Sequence, residues 1–151
     1  MLINKQLIML DAEFDSKDDA IESIAKLFES NGNLNDLEGY IQAVKQRESE
    51  ISTNLGDGIG MPHARTNSVK EVGLAFARIK NPIQWGEDNS PVSVLFGIAV
   101  PESGGDIHLK ILAQLARHLI YDEFKEKIFH IESKDELLNL IAEATKGVNE
   151  Q

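Results

Sequence analysis

Val92-Ser93-Val94-Leu95-Phe96-Gly97-Ile98-Ala99-Val100 is almost wholly apolar, rich in β-branched and aromatic residues, and closed by Pro101. Alternation of apolar and polar residues would mark a strand wetted on one face. A continuous apolar run marks a strand covered on both faces. The stretch therefore predicts a central strand with helices above and below it. Upstream, Val72 to Ile79 is a second strand candidate with small residues interleaved, and Leu7 to Leu10 a third, short one. Asn81-Pro82 and Gly86-Glu87-Asp88-Asn89 read as loops between the two longer strands.

The helical signals lie toward both ends of the chain. Ser16 with Asp19 three positions later resembles a capping box. The helix it opens buries Ala20, Ile21, Ile24, Ala25 and Phe28, and Gly32 stops it. Asn35 with Glu38 opens a second helix with the stripe Leu37, Tyr40, Ile41 and Val44. After Pro101, the loop Glu102-Ser103-Gly104-Gly105-Asp106 leads into a helix carrying Ile111, Leu112, Leu115, Ala116 and Leu119. Two further helices follow, one with Phe124, Ile128 and Ile131, the other opened by Ser133 with Glu136. With no repeat, low-complexity tract or Pro/Ser-rich linker, the pattern predicts one domain over residues 1–151. Its class is α/β: a three-layer α/β/α sandwich with a small mixed sheet flanked by helices.

Composition narrows the function classes. At 151 residues the chain is long enough to bury a real core, and 42% apolar with 26% charged residues places it among globular chains. The formal net charge of −10 disfavours nucleic acid and anionic membrane surfaces and makes basic partner surfaces more plausible. Without cysteine there is no disulfide, thiolate nucleophile or Cys–zinc site, which is consistent with a cytoplasmic protein. No apolar run reaches spanning length, and Met1 to Leu10 lacks the pattern of a signal peptide.

The residues that promise chemistry centre on Gly56-Asp57-Gly58-Ile59-Gly60-Met61-Pro62-His63-Ala64-Arg65. Three glycines in five residues permit a tight backbone path, Pro62 fixes the approach, and Ala64 leaves the ring uncrowded. This presents His63 as an exposed histidine on a rigid turn, held for a visiting partner, with Ile59 and Met61 as an apolar rim. A lone histidine is more often structural, but this setting favours function. His108 stands in the first turn of the helix after the apolar strand, on the face of Ile111, Leu112 and Leu115. It is either the cap of a core stripe or a ligand-facing group, because a helix start beyond a strand's carboxyl end attracts anions. The dipole there keeps its imidazole neutral. Arg47 falls where the second helix's stripe calls for an apolar residue. It is either a snorkelling stem or a guanidinium aimed at an anion. Asp57 and Asp106 flank the histidines, but they serve turns and caps, and no tight His spacing supports a metal site. His118 and His130 read as core-edge or surface residues, Arg65 as a solvated charge or an aid to docking, and Asp15–Asp19 and Glu48–Glu50 as solvated faces. No nucleophile elbow, Walker or dinucleotide motif is present, and no cofactor is expected.

Gly58-Ile59-Gly60-Met61-Pro62-His63-Ala64-Arg65 resembles the active-site signature of the fructose/mannitol-type (type 2) EIIA domain of the phosphoenolpyruvate-dependent sugar phosphotransferase system. Arg47-Glu48 precedes it at that family's spacing. Val69 to Arg78 is similar to the strand after it, and Val100 to Leu112 to the family's second block. The departure is Gly60-Met61, where a small residue and a branched aliphatic are usual. The resemblance implies that His63 takes a phosphoryl group from the phosphocarrier HPr on Nε2 and passes it to an EIIB domain. That domain in turn serves sugar uptake through a membrane EIIC. It also implies that His108 supports the phosphohistidine by hydrogen bonding, that Arg47 lies near the phosphoryl group, and that Ser52 and Thr53 lie near the supporting loop. A fructose-type transport subunit is the reading favoured. The alternatives are a regulatory protein of the nitrogen-regulatory type and a metal-dependent hydrolase using His63 and His108. The chain's end soon after the last helix, at Gly147 to Gln151, suggests a free-standing subunit.

Overall fold

The computed structural model describes residues 2–50, 52–86 and 90–148. Its strands are β1 (Ile8–Ala12), β2 (Asn54–Gly56), β3 (Ile59–Gly60), β4 (His63–Thr66), β5 (Gly73–Gln84) and β6 (Pro91–Pro101). Its helices are α1 (Lys17–Ser30), α2 (Leu37–Glu50), α3 (Ile107–Leu119), α4 (Asp122–His130) and α5 (Lys134–Ala144). The six strands form one mixed sheet in the order β1-β5-β6-β3-β2, with β4 also paired to β6. β5 and β6 run antiparallel, while β1 lies parallel to β5 and both β3 and β4 lie parallel to β6.

The register of β5 on β6 explains the small residues. Gly73 pairs with Ala99 and Ala75 with Gly97, so these small side chains gather on one face. Helix α1 rests there. A methyl group on Gly97 would lie 2.6 Å from Ile24 Cγ2, and one on Gly73 would lie 3.0 Å from Phe28. Leu74, Phe76, Phe96 and Ile98 project from the other face, where Phe76 and Phe96 meet edge to face at 5.4 Å. Arg78, of the same parity, donates to the carbonyl of Ile128 in α4 at 3.1 Å. The molecule is thus a three-layer α/β/α sandwich, as expected, with α1 and α2 on the small-residue face and α3 to α5 on the other.

Local signals explain the helix boundaries. Ser16 Oγ accepts from the Asp19 amide at 3.1 Å, and Asp19 reaches back to the Asp15 amide at 2.9 Å. At the far end of α1, Asn33 N donates to Phe28 O and Gly32 N to Glu29 O, with Gly32 at φ +84, a Schellman stop. Ser133 caps α5 through the Glu136 amide. Asn35 differs from expectation. It does not cap α2; its amide donates to Ser68 O and its side chain to Asn67 O, tying the helix entrance to the turn after β4.

Other departures have physical causes. Asn81-Pro82 lies within β5 rather than in a loop, because β1 pairs only as far as Ile79 and leaves β5 an edge there. An edge strand with a register shift tolerates a proline. Of the second loop, residues 87–89 lie outside the described residues, as do residues 149–151 at the chain's end. Ala116 is exposed, since α3 sets only Ile111 and Leu115 fully into the core. Glu48 is buried, not solvated, and belongs to the network described below.

Candidate active site

The glycine-rich stretch is a hairpin. β2 and β3 run antiparallel with Gly56 opposite Ile59, so only Asp57 and Gly58 form the turn. Both have positive φ, at +55 and +80, the backbone of a two-residue type I′ turn, for which Asp-Gly is a favoured pair. The Asp57-Gly58 pair is the local sequence signal for that hairpin. Asp57 is held outside by Lys125 of α4 at 3.2 Å and does not border the histidine cleft.

β3 and β4 lie end to end along β6, separated only by Met61-Pro62. His63 is therefore the first residue of a strand rather than a turn residue, opposite Ile98, and only 8% exposed. Ile59 and Met61 are each 2% exposed, so they are core and not a rim. Gly60 has a reason of its own: a Cβ there would lie 3.0 Å from Leu95 Cδ2 and 3.2 Å from Trp85 Nε1. The backbone of β6 is in turn anchored by Tyr40 of α2, whose hydroxyl donates to Ile98 O at 2.9 Å. Burial raises the Tyr40 pKa and keeps that donor protonated.

The His63 Nδ1 atom lies 2.8 Å from the carbonyl oxygen of Met61. A carbonyl only accepts, so Nδ1 carries the proton and Nε2 keeps its lone pair. Burial holds the His63 pKa below the ordinary value; the Met61 carbonyl opposes this, the Arg47 charge adds to it, and Glu48 opposes it. The ring stays neutral at pH 7. His108, half-buried, stacks at 6.5 Å between ring centroids with 27° between planes. Its pKa is also lowered, by burial first, then by His63 and Arg65, with Asp106 opposing. The His108 Nδ1 atom is buried and has no hydrogen-bond partner among the described residues.

A cleft of about 460 Å³ is lined by His63, His108, Arg47, Arg65, Glu50 and Glu102, among others. Structure thus brings His63, His108 and Arg47 to one place from β4, α3 and α2. Arg65 is not a free surface charge: its guanidinium donates to the carbonyls of Glu102 and Gly105, both at 3.2 Å, binding β4 to the loop before α3. Asp106 precedes α3 but its side chain makes no capping bond. Thr53 is buried and away from the cleft lining, while exposed Ser52 accepts from the Asn54 amide. His118 packs against Phe124 at the core edge, and His130 pairs with Glu126 on the surface. Among the described residues no group of three or more acidic or histidine side chains could hold a metal ion.

A neutral histidine with one free ring nitrogen, beside a second imidazole and an arginine, suits group transfer to nitrogen with stabilisation of an anion. The α/β sandwich and this cleft together suit a protein that handles anionic groups. Residues 1–144 match the family described as "Phosphoenolpyruvate-dependent sugar phosphotransferase system, EIIA 2", and the chain belongs to that family. It is 37% identical to a "PTS system fructose-specific EIIA component" of Haloferax volcanii, covering 93% of this chain and 92% of that one. It is 33% identical to a "PTS system fructose-specific EIIABC component" of Bacillus subtilis, covering 96% of this chain but only 23% of that longer protein. Among solved structures, the nitrogen regulatory protein IIA-Ntr of Neisseria meningitidis superimposes with a TM-score of 0.83 at 30% identity, over 91% of this chain and 94% of that one. The chain is thus a type 2 EIIA domain of the phosphotransferase system, a phosphoryl-transfer protein. No helix among the described residues is long and apolar enough to cross a membrane.

Proposed function

We propose that His63 accepts a phosphoryl group on Nε2 from phosphorylated HPr and passes it to an EIIB domain, the chain acting in the cytoplasm as one EIIA domain of a fructose-type transport system. The observation that carries this reading is the Nδ1–H bond to Met61, which leaves Nε2 as the nucleophile. In the first step the Nε2 lone pair forms a bond to phosphorus as the donor's P–N bond breaks and its electron pair returns to the donor nitrogen. No proton need leave His63, because Nδ1–H persists throughout. In the second step the same exchange runs from Nε2 to the EIIB nucleophile. Arg47 and His108 are assigned to the phosphoryl oxygens, the orphaned His108 Nδ1 being a group that lacks any partner among the described residues. Positioning and charge stabilisation supply the catalysis, and no strong base is needed.

The transport reading rests on the two fructose-specific relatives at 37% and 33% identity. The regulatory reading leans on the IIA-Ntr likeness at 30%. Incubation with HPr, the phosphotransferase that loads HPr from phosphoenolpyruvate, and labelled phosphoenolpyruvate tests the site. His63→Ala should lose all acid-labile label, and His108→Ala should be labelled yet transfer onward at least about tenfold more slowly. Label retained in His63→Ala overturns the acceptor. A labelled wild type that passes nothing to its cognate EIIB overturns transport in favour of regulation.

A further inference from the structure

The buried carboxylate of Glu48 is left unexplained by the cleft chemistry. It sits next to Arg47 on α2, yet its side chain is only 4% exposed. An isolated buried carboxylate is costly unless it is paired and hydrogen-bonded. Glu48 has both. Lys17 Nζ lies 2.8 Å from Oε2, and the same ammonium stands 4.9 Å over the Trp85 ring. The amide and the hydroxyl of Thr53 both donate to the carboxylate, and Trp85 Nε1 reaches the same hydroxyl at 3.3 Å. Such an ion pair is weak evidence for stability, because apolar residues can often replace one without loss. What it holds is more telling.

Thr53, pinned at two atoms by Glu48, accepts the Met61 amide on its own carbonyl at 3.1 Å. Met61 then accepts His63 Nδ1–H at 2.8 Å. The path from Glu48 to the imidazole is therefore two hydrogen-bonded backbone residues long. It crosses the point where the sheet edge is interrupted, since Met61-Pro62 separates β3 from β4. There the Met61-Pro62 segment is held by two ties, Ile98 N donating to Pro62 O at 3.0 Å and the Met61 amide donating to Thr53, and the second bears directly on where the Met61 carbonyl stands. We propose that Glu48 is a positioning residue for phosphoryl transfer: through Thr53 and Met61 it holds His63 as the Nδ1–H tautomer in one ring orientation, leaving Nε2 the nucleophile. This rests on the assignment of His63 as acceptor. One helical step, Arg47-Glu48, then sends a cation to the oxygens being moved and an anion to the frame behind the nucleophile.

The test separates the tie from the acceptor assignment. The His63 tautomer is read from long-range ¹H–¹⁵N spectra of the unphosphorylated protein, and phosphorylation by HPr is measured in parallel with far-UV circular dichroism as a check of folding. In folded Glu48→Gln the Nε2–H tautomer should become detectable and kcat for phosphorylation should fall about tenfold with KM for HPr unchanged, the scale seen when partners that orient a histidine are removed. Glu48→Asp should recover part of both. A folded Glu48→Gln with the wild-type tautomer and rate overturns the proposal. Should Glu48→Gln fail to fold, Thr53→Val keeps the backbone donation and removes one of the two bonds. It should shift the tautomer in the same direction by a smaller amount, and an unchanged tautomer there overturns the proposal as well. If wild-type His63 takes no label while the tautomer still responds to Glu48, the acceptor assignment falls and the tie stands.

Discussion

At His63 the same burial that excludes water also decides the protonation state. Burial is the largest cause lowering the pKa of both His63 and His108. The folded protein therefore keeps both rings neutral further into acid than the unfolded chain does. As pH falls through the ordinary histidine range the unfolded chain binds more protons, so stability is full above that range and is lost toward the depressed folded values. Phosphoryl acceptance should fall over the lower part of the same window, because a protonated Nε2 has no lone pair to offer. Urea midpoints and labelling rates between about pH 7.5 and pH 5 check both trends. His63→Gln should flatten part of the stability profile; an unchanged slope would show that His63 is not the group being protonated.

At the scale of elements, the close seat of α1 on the sheet is a matter of missing side chains. A methyl at Gly97 would stand 2.6 Å from Ile24 Cγ2, an atom fixed on a branched β-carbon. Gly97→Ala should gain about 0.4–1 kcal/mol from a less flexible unfolded chain. It should lose about 1–3 kcal/mol to overpacking, so the net is destabilisation, measurable as a lower denaturant midpoint. This interleaving of small residues was visible in Val72 to Ile79 and in Gly97 and Ala99, as were the caps at Ser16 and Ser133 and the stop at Gly32. What stayed hidden was non-local. Nothing near Pro82 in the sequence says that β1 stops pairing at Ile79 and leaves an edge where a proline fits. Nothing near His63 says that it begins a strand beside Ile98. The three cleft residues were legible as types and local positions, but their convergence was not, because 61 and 45 residues separate His108 from Arg47 and from His63. Glu48 was misread because its partners, Lys17 and Thr53, lie on other segments, and a charged run at a helix end ordinarily faces water.

At the scale of the whole molecule, a formal net charge of −10 sets how partners arrive. An acidic carrier meeting a basic docking face gains mainly in association rate, and salt screens that gain. Raising ionic strength from about 0.05 to 0.5 M should slow phosphorylation by HPr about tenfold through KM, with kcat nearly constant. Stopped-flow or quench-flow labelling across a salt series measures it; a salt-independent KM would show that the net charge plays no part in docking.

The clamp of Arg65 on the carbonyls of Glu102 and Gly105 has a mechanical meaning. It joins the strand bearing one imidazole to the loop that launches the helix bearing the other, so the two rings share one frame. A relay of the kind proposed, loaded by one visitor and emptied by the next, would have no need to reshape itself for each. Fit and misfit would then be settled on the visitors' side, and the exchange would keep the same geometry in both directions.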